Sequence, residues 1–156
     1  MKKVILFAML CIFGALEINA QSGLTADQLK FRNGIEQFLK EEGFFTTIDD
    51  DDNSVNWKKE GARYWITVED SDPFYIEFHR AGFSLDGEDR DALIRAANYA
   101  NLNKRCGKAC VGQSSIAFTV EFYCNSISEF RNIFYRSMRA IDATREATVD
   151  YYNEHK

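Results

Sequence analysis

One proline, Pro73, and two histidines, His79 and His155, are all that the 156-residue chain has of either type. With so little proline, and no Gly/Ser-rich or repetitive stretch, nothing divides the chain into linked units. No GxSxG, HExxH or glycine-rich phosphate loop is present, so the familiar ways of activating a nucleophile, holding a catalytic zinc or cradling a phosphate have no local signature. No cofactor is therefore expected. After residue 20 no apolar run approaches the roughly 20 residues that span a bilayer, which argues against stable membrane insertion. The net charge of −5 disfavours nucleic acid as a partner, because phosphate binding calls for a basic surface.

The one long apolar run is at the start. Lys2 and Lys3 precede Val4 to Leu16, a stretch without charge, and the chain turns polar at Glu17 before the small residue Ala20. Basic start, short apolar run and small residue predict a cleaved signal peptide over residues 1–20, with the cut near Ala20. Cys11 lies inside the apolar run after Met9 and Leu10, which is not the small-residue setting of a lipidated cysteine. The compact leader has a bacterial look, and the mature chain is expected in the periplasm or outside the cell. Losing Lys2, Lys3 and Glu17 takes the 19 basic and 24 acidic residues to 17 and 23, a net −6. Residues 21–156 are long enough for one domain with a continuous core.

Export bears on the cysteines, because an oxidising compartment permits disulfides. Cys106, Cys110 and Cys124 remain after cleavage; Cys106 with Cys110 and Cys106 with Cys124 are the pairings to test, and three unpaired thiols are an equal alternative. A metal site is poorly supplied, since one CxxxC without a nearby histidine is not a zinc arrangement.

Hydrophobic periodicity predicts an α+β fold. Thr25 and Gln28 form a capping box before Leu29, Ile35, Phe38 and Leu39, and Gly43 marks the stop of a helix over about 26–42. From Phe44 to Arg80 the period becomes two: Tyr64, Ile66 and Val68, then Ile76 and Phe78, share one face in a meander of three or four strands. A second helix is expected over 87–103, capped by Asp86 and packed through Leu93, Ile94, Ala97 and Ala100. Lys108–Val111 and Ile116–Cys124 read as a hairpin. Ser126 and Glu129 open a final helix through Phe130, Phe134, Met138 and Ile141 that frays near Tyr151. Helices on one face of an antiparallel sheet leave the other face to water or to a partner.

Three chemistries compete for the remaining residues. Asp49, Asp51, Asn53 and Glu60 imitate the ligand spacing of a calcium loop, but Ser54 stands where that loop needs glycine and a strand follows Glu60. Cys106, Cys110 and His79 would be the centre of a thiol-based or small-molecule enzyme, although CxxxC is not the thioredoxin-like spacing. The third is a binding face. Trp65, Thr67, Tyr75, Glu77, His79, Thr119 and Tyr123 fall on the side of the strands away from the predicted core, and large amphipathic rings on a polar surface suit an interface. No residue is assigned a catalytic role. The reading that follows is a non-enzymatic protein-binding module, its partner another protein or a second copy of itself.

Several strings resemble the YbjN-type domain, which is related in fold to type III secretion chaperones: EEGFFTTIDDDDNSVNWKKEGARYWITVEDSDPFYIEF at 41–78, NYANLNKRCGKACVG at 98–112, and FRNIFYRSMRAIDATREA at 130–147. The resemblance implies an α-β(3)-α-β(2)-α order, no catalytic residues, and regulatory or chaperone-like roles. It supplies no function for the three cysteines.

Overall fold

The structure, a computed structural model, describes residues 24–49 and 51–156. The expected signal peptide lies outside the described residues.

Helix α1 spans Ala26–Glu41 and opens as its sequence requires: the Thr25 hydroxyl accepts from the Gln28 amide at 3.2 Å, and the Gln28 side chain accepts from the Thr25 amide at 2.8 Å. Gly43, at φ 85°, ends it. The Phe44 and Gly43 amides then return to the carbonyls of Leu39 and Lys40, closing a Schellman motif. The apolar stripe of Phe31, Ile35, Phe38 and Leu39 is buried, and the Gln28 amide ties the helix to the sheet through the Val68 carbonyl at 3.1 Å.

Four strands follow: β1 (Thr46–Ile48), β2 (Val55–Lys59), β3 (Ala62–Glu69) and β4 (Phe74–Ser84). Glu60 and Gly61 both take positive φ, 51° and 81°, the two-residue turn whose twist suits a hairpin between β2 and β3. After helix α2 (Arg90–Asn103) come β5 (Gly107–Val111), β6 (Ser115–Cys124) and helix α3 (Ile127–His155). The six strands form one antiparallel sheet in the order β1-β2-β3-β4-β6-β5. The α+β class is thus as expected; the first group holds four strands, one more than the resemblance implies, because the three-residue β1 also pairs with β2.

Val55, Trp57, Tyr64, Ile66, Val68, Ile76, Phe78, Phe118 and Val120 all point to the face that α1 and α3 cover. Phe78, Phe118, Phe130 and Phe134 are completely enclosed, each contributing about 1.5–3 kcal/mol over an exposed ring. Phe134 is central, with Phe38 at 5.1 Å edge-on and Phe78 at 5.5 Å stacked.

Three expectations are corrected. Helix α2 is capped by Asp89, whose carboxylate accepts from the Ala92 amide at 3.0 Å, and not by Asp86. Gly87 at φ 76° keeps the chain in a turn for three residues longer. Ile94 is exposed, and Ala96 takes the packed position instead. Helix α3 does not fray at Tyr151: Tyr152 is buried, accepts from the Asp89 amide at 3.1 Å and donates to Glu88 at 2.7 Å, while Tyr151 stacks on Tyr99 at 4.4 Å.

Candidate functional site: the open face of the sheet

Alternation that buries one side of each strand exposes the other. The side away from the helices carries Asn56 of β2, Arg63, Trp65 and Thr67 of β3, Tyr75, Glu77 and His79 of β4, Thr119, Glu121 and Tyr123 of β6, and Lys108 of β5. None of them belongs to the apolar core. The seven residues expected to form a binding face, Trp65, Thr67, Tyr75, Glu77, His79, Thr119 and Tyr123, therefore do share one surface.

The register arranges them in rows across the sheet. Tyr75 stands opposite Tyr123, ring centroids 5.3 Å apart. In the next row Thr67, Glu77 and Glu121 are cross-strand neighbours, and beyond them lie Trp65, His79, Thr119 and Lys108. Trp65 is held flat against the imidazole of His79, 4.8 Å away and 10° from parallel, with the Arg63 guanidinium 5.4 Å from its ring. Arg63 is itself fixed, donating twice to Asn56 Oδ1 at 2.8 and 3.1 Å. Tyr123, 65% exposed, is the most open of the rings on this face.

Polar bonds between rows set the protonation states. The Tyr75 hydroxyl donates to Glu121 Oε2 at 2.6 Å, and this bond, with burial and the carboxylate's charge, pushes the phenol up to about 12. Hydrogen bonds from Lys108 and Tyr75 hold Glu121 below the ordinary carboxylate range. Thr67 donates to Glu77 Oε2 at 3.1 Å. His79 Nε2 lies 3.7 Å from the same oxygen, outside hydrogen-bond reach, and burial lowers the imidazole's pKa against the opposing pull of Glu77, Glu121 and Asp52.

The thiols do not converge. All three are free. Cys106 and Cys110 sit at the two ends of an extended segment, which puts their Cα atoms roughly 13 Å apart, well beyond disulfide reach. Cys124 is buried at the far end of β6, its thiol donating to the Ser126 carbonyl at 3.1 Å, roughly 13 Å along the sheet from the strand end that Cys106 precedes. Cys110 is on the open face, but β6 separates it from His79 on β4, a gap of roughly 10 Å. Its thiol is raised by burial and by Glu121, which keeps it protonated.

Nor does the calcium pattern close: Asp49, Asp51 and Asn53 share one turn, but Glu60 does not join them. Asp49 and Asp52 accept from the amides of Asp51 and Ser54 at 3.0 and 2.9 Å, so their oxygens stabilise the β1–β2 turn. Glu60 is at the opposite end of β2, roughly 17 Å away, paired with Lys59 at 3.7 Å. Among the described residues no group of three His, Cys, Asp or Glu side chains could hold a metal ion.

Asn56, Arg63, Glu121 and Lys108 are the face residues that sequence reading missed. Alternation within β6 puts Glu121 beside Thr119 and Tyr123, and that signal was available; Lys108 needed the strand order. No helix among the described residues is long and apolar enough to cross a membrane. Comparison of the chain with protein-family models, with curated proteins and with solved structures finds no match.

Proposed function

We propose that the chain is a non-enzymatic, exported protein-binding module, and that the open sheet face is its interface. The observation that carries this reading is Tyr123: a large amphipathic ring left mostly in water, beside a second tyrosine, on a sheet face that contributes nothing to the core. Trp65 and Tyr75 are already held by His79, Arg63 and Glu121, so little side-chain freedom would be lost when a partner covers them. Aromatic groups fixed in this way are what binding surfaces concentrate at their centres. The leader expected over residues 1–20 supports an encounter in the periplasm or outside the cell. The likeness to YbjN-type domains, with chaperone-like roles and no catalytic residues, supports the same reading.

Affinity capture from the envelope fraction, run beside sedimentation analysis, tests it. Tyr123→Ala and Trp65→Ala should remove a defined partner or a self-associated species without changing the fold's circular dichroism. Unchanged partners and an unchanged oligomeric state in both variants would rule the face out as the interface.

A further inference from the structure

The middle of the open face carries an electrostatic conflict. Glu77 and Glu121 are directly opposed on neighbouring strands, an arrangement whose Cβ atoms lie about 4.5–5.5 Å apart and in which like charges repel. The protein offsets only part of it. Thr67 donates to Glu77 Oε2, and Tyr75 and Lys108 both donate to Glu121 Oε2; among the described residues the Oε1 atom of each carboxylate accepts no hydrogen bond. His79 Nε2 stands 3.7 Å from Glu77 Oε2 and adds a counter-charge only when the imidazole is protonated, a form that its burial disfavours. With one lysine against two carboxylates, the centre of the face keeps an uncompensated negative charge.

A second observation falls at the same place. Thr119, two residues before Glu121 on the same face of β6, is only 4% exposed, and its hydroxyl has no hydrogen-bond partner. A buried hydroxyl without a partner costs free energy unless something arrives to satisfy it. Two carboxylate oxygens that accept nothing and, one row along the sheet, a hydroxyl without a partner thus lie together on the face, bordered on one side by the rings of Tyr75 and Tyr123.

The chemistry that fits is a flat cation with several donors. A guanidinium has five N–H groups in one plane, pairs with carboxylates through parallel bonds, and stacks on tyrosine; an ammonium offers three donors at a point and no flat surface. We propose that the Glu77–Glu121 pair is the seat of an arginine side chain supplied by a protein partner. The proposal rests on the open face being the interface, and it names the partner's contribution: a segment that presents arginine to an acidic centre, with Tyr123 covering it.

Titrating the purified, isotopically labelled protein with a short, end-blocked peptide bearing one arginine among serines and glycines tests this directly. Saturable amide shifts should centre on Glu77, Thr119, Glu121 and Tyr123, and the same peptide with citrulline, the neutral isostere, should leave them unmoved. In Glu77→Gln, affinity should fall about tenfold or more, the scale of a lost charge-assisted hydrogen bond, while the melting temperature stays level or rises as the repulsion is relieved. Equal shifts from the citrulline peptide, equal affinity for a lysine peptide, wild-type binding by Glu77→Gln, or no saturable shift would each overturn the proposal. If the arginine peptide fails while Tyr123→Ala still abolishes partner capture, the interface stands without the arginine seat. If Tyr123→Ala also leaves capture unchanged, the face is not an interface at all.

Discussion

Asn101 pairs with the backbone of Ala109 on both of its polar groups: the Ala109 amide donates to Asn101 Oδ1 at 2.7 Å, and Asn101 Nδ2 donates to the Ala109 carbonyl at 3.1 Å. One side chain of α2 thereby occupies the hydrogen-bonding edge of β5 as another strand would. Exposed strand edges invite pairing with other chains, and covering the edge is one way to prevent it. Asn101→Ala leaves an amide and a carbonyl unpaired in a partly buried place. It should cost about 1–3 kcal/mol and introduce concentration-dependent association. Urea melts with light scattering read both; a variant that melts like wild type and scatters no more light would remove Asn101 from this role.

Gly107 is fixed by contact. A Cβ there would sit 2.0 Å from Thr144 Oγ1 and 2.8 Å from the Ala140 carbonyl oxygen, so β5 reaches α3 only without a side chain. The threonine could rotate away from an added methyl, but the helix backbone could not. Gly107→Ala should therefore destabilise by about 1–3 kcal/mol, as overpacking does. Thr144→Ala in the same background should restore part of the loss, since it clears the nearer of the two contacts. A single Gly107→Ala variant of wild-type stability would show that the strand can move off the helix freely.

The terminal turns of α3 make a long-range clasp. Tyr152 joins both Glu88 and the amide of Asp89, the residue that caps α2. Tyr152→Phe keeps the ring and removes both bonds, and should cost about 0.5–3 kcal/mol. Amide exchange should quicken in the first turn of α2 and the last turns of α3 together. Faster exchange in α3 alone would mean that the two helix ends are not coupled.

What the sequence showed and what it hid follow from the range of each interaction. Period-two alternation from Tyr64 to Val68 and from Phe74 to His79 is local, so the two faces of the sheet, and with them Trp65, Tyr75 and His79, could be read directly. The capping box of Thr25 with Gln28 was equally local. The Glu77–Glu121 opposition was not, because β4 and β6 are separated by α2 and β5 and their register is a product of packing. Tyr152 looked like a fraying end for the same reason: its partners are 63 and 64 residues away. Asp86 and Asp89 are chemically equal caps, and only the left-handed turn at Gly87 decides between them.

The pH response of the open face follows from His79. Burial between Trp65 and its neighbours disfavours the imidazolium more than Glu77, Glu121 and Asp52 favour it, so the folded pKa lies below the ordinary 6.5. Between the two values the unfolded chain binds more protons than the folded one, and stability rises with pH. The contribution is therefore complete above about pH 6.5, declines as pH drops below it, and levels off once pH is under the folded value. The lowered carboxylates Glu41 and Glu121 act in the same direction but in a more acidic window, below their ordinary 4.5. His79→Gln has no proton to bind, so its unfolding free energy should stay flatter than wild type as pH falls below about 6.5, and the two curves should run parallel once pH is under the folded value. Parallel curves across the whole range would mean that the imidazole titrates alike in the folded and unfolded chains, and that burial against Trp65 does not control it.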